Sequence, residues 1–298
     1  MGELSAMQRL DIDYDAMLCS GHAACPGCLD ALSVRHALAA LGPNTVAVVP
    51  PSCMAIIAGP QPYSSLRIPV YQCSLESSAA AASGLRRALD AQGKRDTQVA
   101  VFAGDGGTYD IGFQCLSSAA ERNEDFIYFC LDNEGYMNTG AQKSSSTPHF
   151  ARTGSTPAGK SSRKKNLTEI MAAHEVPYAA TACAGYLGDL VRKVEKAKAI
   201  RGTRIITLLI PCLDGWGLPD DGGLQAARYA VESGVFPLYE VEDGTRYTLN
   251  QPGRTRSVSE YLSLQRRYGH LGPEQIATLQ AEVDAGWARL IERVGSGH

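Results

Sequence analysis

Residues 98–107 read Gln-Val-Ala-Val-Phe-Ala-Gly-Asp-Gly-Gly, a short apolar run that passes directly into a glycine-rich turn. Its β-branched and aromatic residues are typical of a strand that is covered on both faces, which we expect over residues 98–103. The same pattern predicts strands over residues 45–49, 126–131 and 204–210. Amphipathic stretches around these runs predict helices over residues 30–41, 77–91, 111–122, 166–174 and 188–200. This alternation predicts an α/β fold, with a mostly parallel sheet and helices on both faces.

The composition is that of a core-forming globular chain. Of the 298 residues, 44% are apolar and 20% are charged, which excludes disordered and fibrous classes. A formal net charge of −3 gives no reason to expect nucleic acid as a partner. No apolar run is long enough for a membrane span, and the first fifteen residues carry four acids where a secretory signal would be apolar. We therefore expect a cytoplasmic protein without membrane contact, whose nine cysteines are buried thiols or metal and redox ligands rather than disulfides.

The pattern changes near Pro219, after which helices are predicted over residues 224–233, 258–267 and 273–294, with a short strand around 237–241. We interpret residues 1–218 as an α/β cofactor domain and residues 219–298 as an α-rich C-terminal extension that serves as a subunit-contact arm. Residues 135–166 form a long polar stretch, which is typical of a functional or a disordered loop. Its basic residues favour a solvated loop; they are Lys160, Arg163, Lys164 and Lys165.

Two polar residues follow neighbouring predicted strands. Asp105 comes directly after the first run, and Asn133 follows the next strand along the chain. One helix and one strand fit between them, so both residues are expected at the same edge of the sheet. A carboxylate oxygen, an amide oxygen and a nearby backbone carbonyl are ligands that Mg²⁺ prefers, and the glycines allow backbone N–H groups to approach a diphosphate. The alternative is that Gly104–Asp105–Gly106 is only a turn.

Four of the cysteines lie where loops meet helices or strands. Cys25 and Cys28 form a C-x-x-C pair before the first predicted helix, while Cys53 and Cys212 follow predicted strands. Four such thiolates fit a [4Fe–4S] cluster, and they also fit structural zinc; a lone C-x-x-C is equally a thiol–disulfide motif.

A set of motifs in fixed order resembles one enzyme family over nearly the whole chain. The motifs are Gly-His-Ala-Ala-Cys-Pro-Gly-Cys (21–28), Gly-Asp-Gly-Gly-Thr-Tyr-Asp-Ile-Gly (104–112), Asp-Asn-Glu-Gly-Tyr-Met-Asn-Thr-Gly (132–140), Ser-Thr-Pro (146–148), Pro-Cys (211–212) with Gly-Trp (215–216), and Pro-Leu-Tyr-Glu (237–240). The chain resembles the thiamine-diphosphate-binding β subunit of the 2-oxoacid:ferredoxin (acceptor) oxidoreductases, the group that contains pyruvate synthase.

The resemblance implies roles at the matching positions. Asp105, Asn133 and the carbonyl of Gly135 would hold Mg²⁺ against thiamine diphosphate, and Asn138 would lie at the reacting centre as the catalytic residue. The remaining cofactor-binding positions are Gly104, Gly106, Gly107 and Thr139. The resemblance implies further that Cys25, Cys28, Cys53 and Cys212 bind a [4Fe–4S] cluster beside the cofactor.

The resemblance also implies partners. The carboxylate that activates the aminopyrimidine would come from an α subunit, in a hetero-oligomer that includes a γ subunit in some relatives. Since the chain has no C-x₂-C-x₂-C-x₃-C ferredoxin run, electrons would leave through a ferredoxin-like or flavin-containing subunit. The substrates would be a 2-oxoacid and coenzyme A. The phosphates of coenzyme A, or an acidic electron carrier, are then the alternative partners of the basic residues in the long loop. Two alternatives stay open: a non-oxidative thiamine diphosphate decarboxylase subunit with zinc-bound or silent cysteines, and a non-catalytic, zinc-stabilised assembly subunit.

Overall fold

The computed structural model describes residues 17–251 and 253–296, and within them one eight-stranded sheet carries the fold. The strands are β1 (Thr45–Val49), β2 (Val70–Gln72), β3 (Gln98–Gly104), β4 (Phe126–Asp132), β5 (Tyr178–Cys183), β6 (Thr203–Leu209), β7 (Tyr239–Glu242) and β8 (Arg246–Leu249). Their spatial order is β2-β1-β3-β4-β6-β5-β7-β8. The first six are parallel, and β7 and β8 add to the β5 edge as antiparallel strands. The predicted α/β fold with a mostly parallel sheet is confirmed.

Helices connect these strands. They are α1 (Leu29–Leu41), α2 (Cys53–Ala58), α3 (Ser78–Ala91), α4 (Phe113–Glu121), α5 (Leu167–Ala172), α6 (Leu187–Ala199), α7 (Leu213–Trp216), α8 (Gly223–Glu232), α9 (Val258–Ser263) and α10 (Pro273–Ser296). A π-helical segment (Gly106–Ile111) precedes α4, and a 3₁₀ turn (Arg266–Tyr268) follows α9. None of the described helices combines the length and the apolar character needed to cross a membrane.

The central strands are apolar throughout because both of their faces are covered. Every residue of β4 and of β6 is buried, and the core divides into two apolar clusters. Phe102 stacks on Phe129 with ring centroids 4.9 Å apart in one cluster, while Tyr128 belongs to the other. Burying one such large side chain contributes about 1.5–3 kcal/mol, so the four central strands form a rigid platform for the loops at their ends.

The order of the strands decides which loops meet. Strands β1, β3, β4 and β6 are consecutive neighbours, and parallel strands present their carboxyl ends at one edge. The residues that follow these four ends are, in spatial order, Cys53, Asp105, Asn133 and Cys212. The sheet therefore places the predicted metal and diphosphate residues between two of the predicted cluster cysteines.

The C-terminal extension is part of the same body as the α/β domain. It supplies β7 and β8 to the sheet, and α10 packs against the core through Leu290 and, less deeply, Val294. The helix is also tied to the long loop, because Glu282 accepts hydrogen bonds from His149 and Arg163, each at 3.0 Å. Residues 1–16 of the predicted cofactor domain lie outside the described residues.

Candidate functional site

Three oxygen atoms converge at the ends of β3 and β4. The amide oxygen of Asn133 lies 2.8 Å from the carbonyl oxygen of Gly135 and 2.9 Å from Oδ1 of Asp105. Three acceptors without a proton between them repel one another unless a cation lies at their centre. Octahedral Mg²⁺ binds oxygens at about 2.0–2.1 Å, which makes the edges of its octahedron about 2.9 Å. The two distances from the Asn133 amide thus match two edges of a magnesium octahedron.

The amide of Asn133 has a second possible orientation. Rotated by 180°, its nitrogen donates to Asp105 Oδ1 at 2.9 Å and to Gly135 O at 2.8 Å, which is the favourable arrangement without a metal. With a metal bound, only the first orientation offers an oxygen to it. The position of the group fits both states, so the three residues could hold Mg²⁺ without rearranging the backbone.

Asp105 is held as a metal ligand would be. The residue is 1% exposed, and Ser144 donates a hydrogen bond of 2.5 Å to its Oδ2, which leaves Oδ1 for the cation. Burial, and next the carboxylate of Asp132, raises the pKa of Asp105 well above its usual range. A divalent cation at Oδ1 would reverse that shift, because it stabilises the charged carboxylate. The side chain is therefore suited to a bound cation.

The glycine-rich turn borders a cavity of about 390 Å³. A Cβ at Gly106 would lie 2.2 Å from the ring of Tyr136, and one at Gly107 would lie 3.0 Å from Leu75, so neither position admits a side chain without displacement. The cavity lining includes all the predicted cofactor-binding residues, namely Gly104, Asp105, Gly106, Gly107, Asn133, Gly135, Asn138 and Thr139. Asn138 and Thr139 are exposed at its rim, where Thr139 donates to Gln142 at 2.6 Å. The structure thus gathers these residues around a single cavity.

The predicted cluster cysteines begin helices or turns. Cys28 is the N-cap of α1, Cys53 is the first residue of α2, and Cys212 is the N-cap of α7, where its Sγ accepts from Gly215 N at 3.4 Å. Cys25 is exposed and the other three thiols are partly exposed, so the group lies close to the surface.

The C-x-x-C turn requires its glycine. The amide of Cys28 donates to the carbonyl of Cys25 at 3.0 Å, and Gly27 has a φ of +72°. A Cβ there would lie 2.4 Å from the carbonyl oxygen of Asp220. The turn therefore packs directly against the start of the C-terminal extension, which fixes the position of both thiols.

The four thiols lie near enough to act on one another. Burial, then the carboxylate of Asp30, then the thiols of Cys212, Cys28 and Cys25 raise the pKa of Cys53. Burial raises the pKa of Cys28 to about 11, with Asp30 and Cys25 adding to it. Thiolates at these positions would repel each other, so iron or another cation is needed to hold them deprotonated.

The spacing of the thiols differs from that of a single-ion site. In the described part of the chain, no three His, Cys, Asp or Glu side chains lie close enough together to hold one metal ion. Tetrahedral zinc, with Zn–S bonds of about 2.3 Å, would bring four sulfurs to about 3.8 Å from one another. In a [4Fe–4S] cubane each cysteine binds a different iron, so the sulfurs lie farther apart.

The cavity and the cysteine site share a wall, which we define as Cys53, Asn133 and Met137. Cys53 lines the cavity, and Nδ2 of Asn133 lies 3.7 Å from its Sγ as a hydrogen-bond donor. Met137 also lines the cavity, and a Cβ at Gly215 would lie 2.2 Å from its Sδ and 3.4 Å from Sγ of Cys212. Only the side chains of the shared wall separate the two sites.

The expectation of a solvated basic loop is wrong for Lys164. This residue lies beside the site, where no role was predicted for it. Its ammonium group donates to Asp132 at 2.7 Å and to Glu134 at 2.9 Å, and Arg267 from the C-terminal extension donates to Glu134 at 2.6 Å. Arg267 also lies 3.8 Å above the ring of Trp216. These cations neutralise two carboxylates next to the metal ligands.

The other basic residues of the long loop also bind within the protein. Lys160 donates to the carbonyl of Thr147 at 2.5 Å, and Lys165 donates to the carbonyl of Tyr109 at 2.8 Å. Arg163 bonds Glu282 of α10. Arg163 and Lys165 nonetheless remain exposed, as predicted for a solvated loop, whereas Lys160 is buried and the prediction is wrong for it.

A second cavity of about 440 Å³ lies between the long loop and α10. Its lining is mostly apolar and includes Lys164, Glu134 and Tyr261. None of the predicted site residues lines it, so it is separate from the cofactor site.

Comparison with known proteins agrees with this geometry. The thiamine pyrophosphate enzyme C-terminal TPP-binding domain matches residues 55–208, a range that contains the magnesium and diphosphate residues but none of the four cysteines. A 2-oxoglutarate:ferredoxin oxidoreductase from Magnetococcus marinus, solved with 2-oxoglutarate, coenzyme A and succinyl-CoA bound, has the same fold. Its TM-score is 0.60 at 21% identity, covering 90% of this chain and 96% of that chain.

Curated relatives extend the similarity over almost the whole chain. Pyruvate synthase subunit PorB of Methanothermobacter thermautotrophicus is 47% identical over 281 residues, covering 93% of this chain and 98% of its own. Ketoisovalerate oxidoreductase subunit VorB of Pyrococcus furiosus is 42% identical over 296 residues, covering 95% of each. At this identity and coverage, the chain belongs to the PorB/VorB family of β subunits of 2-oxoacid:ferredoxin oxidoreductases.

Proposed function

We propose that this chain is the β subunit that holds thiamine diphosphate, Mg²⁺ and a [4Fe–4S] cluster side by side, in a complex that oxidatively decarboxylates a 2-oxoacid and forms an acyl-CoA. The observation that carries the proposal is the order of strand ends, which puts Asp105 and Asn133 between Cys53 and Cys212. A non-oxidative decarboxylase has no need for four thiols next to its diphosphate site.

When bound, thiamine diphosphate supplies the decarboxylation of the 2-oxoacid, and the cluster supplies one-electron acceptance. Asp105, Asn133 and Gly135 would hold the metal, and Ser144 keeps the carboxylate of Asp105 aimed at it. The glycines of the turn let the diphosphate approach the backbone. Asn138, at the exposed rim of the cavity, would contact the 2-oxoacid as the catalytic residue of this chain.

The cysteine site would accept electrons through the shared wall. A backbone N–H group stabilises negative charge on its sulfurs, since Gly215 donates to Cys212 at 3.4 Å. Such bonds stabilise the reduced, more negative cluster and so raise its reduction potential. Because Cys25 is exposed, the cluster would also be close enough to the surface to pass electrons to a ferredoxin-like or flavin-containing partner.

The chain would complete its site with partner subunits. Large apolar side chains are exposed around the cavity, with Ile56 on its lining 54% exposed and Tyr71 on the edge strand β2 49% exposed. We expect an α subunit to cover this face and supply the carboxylate for the aminopyrimidine. On the C-terminal extension, Leu224 and Ile291 are similarly exposed, at 41% and 43%, which fits the proposed subunit-contact arm.

The cluster is tested by metal analysis of the complex purified without oxygen. We expect Cys53→Ser to lose about four irons and four acid-labile sulfides per β subunit relative to the wild-type complex, and Cys115→Ser, on helix α4, to lose none. Equal iron and sulfide contents in Cys53→Ser and the wild type, or loss of zinc in their place, would refute the oxidative function and favour the non-oxidative alternative.

The cofactor site is tested by measuring bound thiamine diphosphate. Asp105→Asn should lose Mg²⁺-dependent binding, whereas Asp96→Asn, at a side chain that is 97% exposed, should bind as the wild type does. Assays of the intact complex with a panel of 2-oxoacids, with and without coenzyme A, then identify the substrate. Equal cofactor binding by both variants would refute the assigned site, and no acyl-CoA from any 2-oxoacid would refute the reaction.

A further inference from the structure

Asn133 is the one residue of the shared wall whose two polar atoms face different sites. Its amide oxygen points to Asp105 and Gly135, at distances that match the edges of a magnesium octahedron. Its amide nitrogen points to Sγ of Cys53 at 3.7 Å, within the range of a hydrogen bond to sulfur. The side chain is 7% exposed, so water does not compete freely for either end.

The metal would decide which atom faces the thiol. Without a cation, the rotated amide gains two hydrogen bonds by donating to Asp105 and Gly135, and its oxygen then faces Cys53. With a cation, the oxygen must turn to the metal, and the N–H group must turn to the sulfur. The two orientations are exclusive, since the amide has one oxygen and one nitrogen.

We propose that Asn133 is a positioning residue that couples the two sites: binding of Mg²⁺ and diphosphate fixes its amide so that it donates to Cys53 and raises the reduction potential of the cluster. This inference rests on the proposed function, because it requires both the metal and the cluster. An N–H···S bond stabilises the reduced cluster, so the acceptor becomes more oxidising once the cofactor is in place.

The other N–H groups near these sulfurs are not conditional in this way. Gly215 donates to Cys212 at 3.4 Å from a backbone position in the short helix α7. A backbone amide has no second orientation to choose. Among the described contacts to the four thiols, the side-chain contact from Asn133 is therefore the one that metal binding can switch.

The test compares two variants of the intact complex. Asn133→Asp keeps an oxygen for the metal and removes the N–H donor. Gln72→Glu adds the same negative charge to the lining of the same cavity, at an exposed residue of β2, and keeps the donor. The cluster potential is measured by redox titration with and without Mg²⁺ and thiamine diphosphate. Exchangeable protons coupled to the reduced cluster are measured by electron–nuclear double resonance in H₂O and D₂O.

In the wild type, loading should raise the potential and introduce one additional exchangeable proton. Gln72→Glu should keep both changes, although its added charge offsets the absolute potential. Asn133→Asp should show neither change. The same rise in potential and the same additional proton in Asn133→Asp would overturn the inference. A wild-type complex whose potential and protons are unchanged by loading would also overturn it. That second outcome can be read even if Asn133→Asp fails to bind the cofactor. Absence of iron and sulfide from the wild-type complex would instead overturn the proposed function itself, before any potential is measured.

Discussion

Replacing Arg267 by methionine tests whether the C-terminal extension supports the metal loop. Arg267 and Glu134 form an ion pair at 2.6 Å in which both side chains are 3% exposed, and the guanidinium lies 3.8 Å above Trp216. Removing one partner of a buried pair costs about 3–5 kcal/mol. Because Lys164 also binds Glu134, we expect a loss at the lower end of that range. Losing the stacking of the guanidinium on Trp216 adds about 1 kcal/mol, which packing of the methionine side chain partly replaces. We expect the free energy of unfolding to fall by about 3 kcal/mol.

Equilibrium unfolding in urea, followed by the fluorescence of the chain's two tryptophans, measures this loss. With a slope of about 3 kcal/mol per molar, the midpoint should move down by about 1 M. The matched control is Arg266→Met, at an exposed neighbouring side chain, which should change stability by less than about 0.5 kcal/mol. A double-mutant cycle with Glu134→Gln should give a coupling energy of about 2 kcal/mol. If Arg267→Met were as mild as the control, or the cycle were additive, the ion pair would not hold the loop.

Ser144→Ala removes the hydroxyl that donates to Asp105, and a hydrogen bond to a charged group contributes about 1.5–3 kcal/mol. Calorimetric titrations should therefore show Mg²⁺-dependent binding of thiamine diphosphate weakened roughly ten- to a hundredfold. Unchanged affinity would contradict the role of Ser144. Burial raises the pKa of Asp125, but the Arg204 guanidinium outweighs burial and holds that pKa below its ordinary value of 3.8. Asp125→Asn should therefore lower the free energy of unfolding by about 2–3 kcal/mol at pH 7. In urea titrations from pH 7 to 3, the difference between variant and wild type should shrink as the pH falls through 3.8 and below, because Asp125 then becomes protonated. A difference independent of pH would refute the pairing with Arg204. Chelation of divalent metal by EDTA should release thiamine diphosphate and leave the sulfide content unchanged, and retention of the cofactor would show that the oxygens of the site do not need a metal.

The central part of the fold could be predicted because its signals are local. Strands β1, β3, β4 and β6 are continuous runs of β-branched and aromatic residues, and their predicted and observed ends agree within one residue. Strand β5 was missed because Tyr-Ala-Ala-Thr-Ala-Cys is rich in alanine, which carries little β preference. Strand β8 was missed because its burial alternates at the exposed edge of the sheet, where few apolar residues mark it. The family and the enzyme class were predicted from the motifs, and the comparisons confirm both.

The residues of the candidate site could likewise be predicted only where their signals are local. Asp105, Asn133 and the cysteines could be singled out because each follows a recognisable strand or motif. The partners that hold them could not, because Lys164 and Arg267 reach Glu134 from 30 and 133 residues away in the chain. The structure also shows why such partners are needed: Glu134 has a left-handed backbone, with a φ of +67°, which a non-glycine residue adopts at a cost and keeps only where its surroundings hold it.

The two sites of the chain are mechanically one unit, and the reason lies outside the shared thiamine domain. Trp216 follows Cys212 by four residues and donates through Nε1 to the carbonyl of Asn133 at 2.9 Å. Arg267 lies on the other face of that contact, between Trp216 and Glu134. The family match ends at residue 208, before both of these residues, yet both contact the loop that carries the predicted metal ligands. A shift of the helix after Cys212 would therefore be felt at the carbonyl of Asn133. The residues that flank the common cofactor domain thus do more than supply the predicted cluster cysteines, because they also support the loop that follows β4.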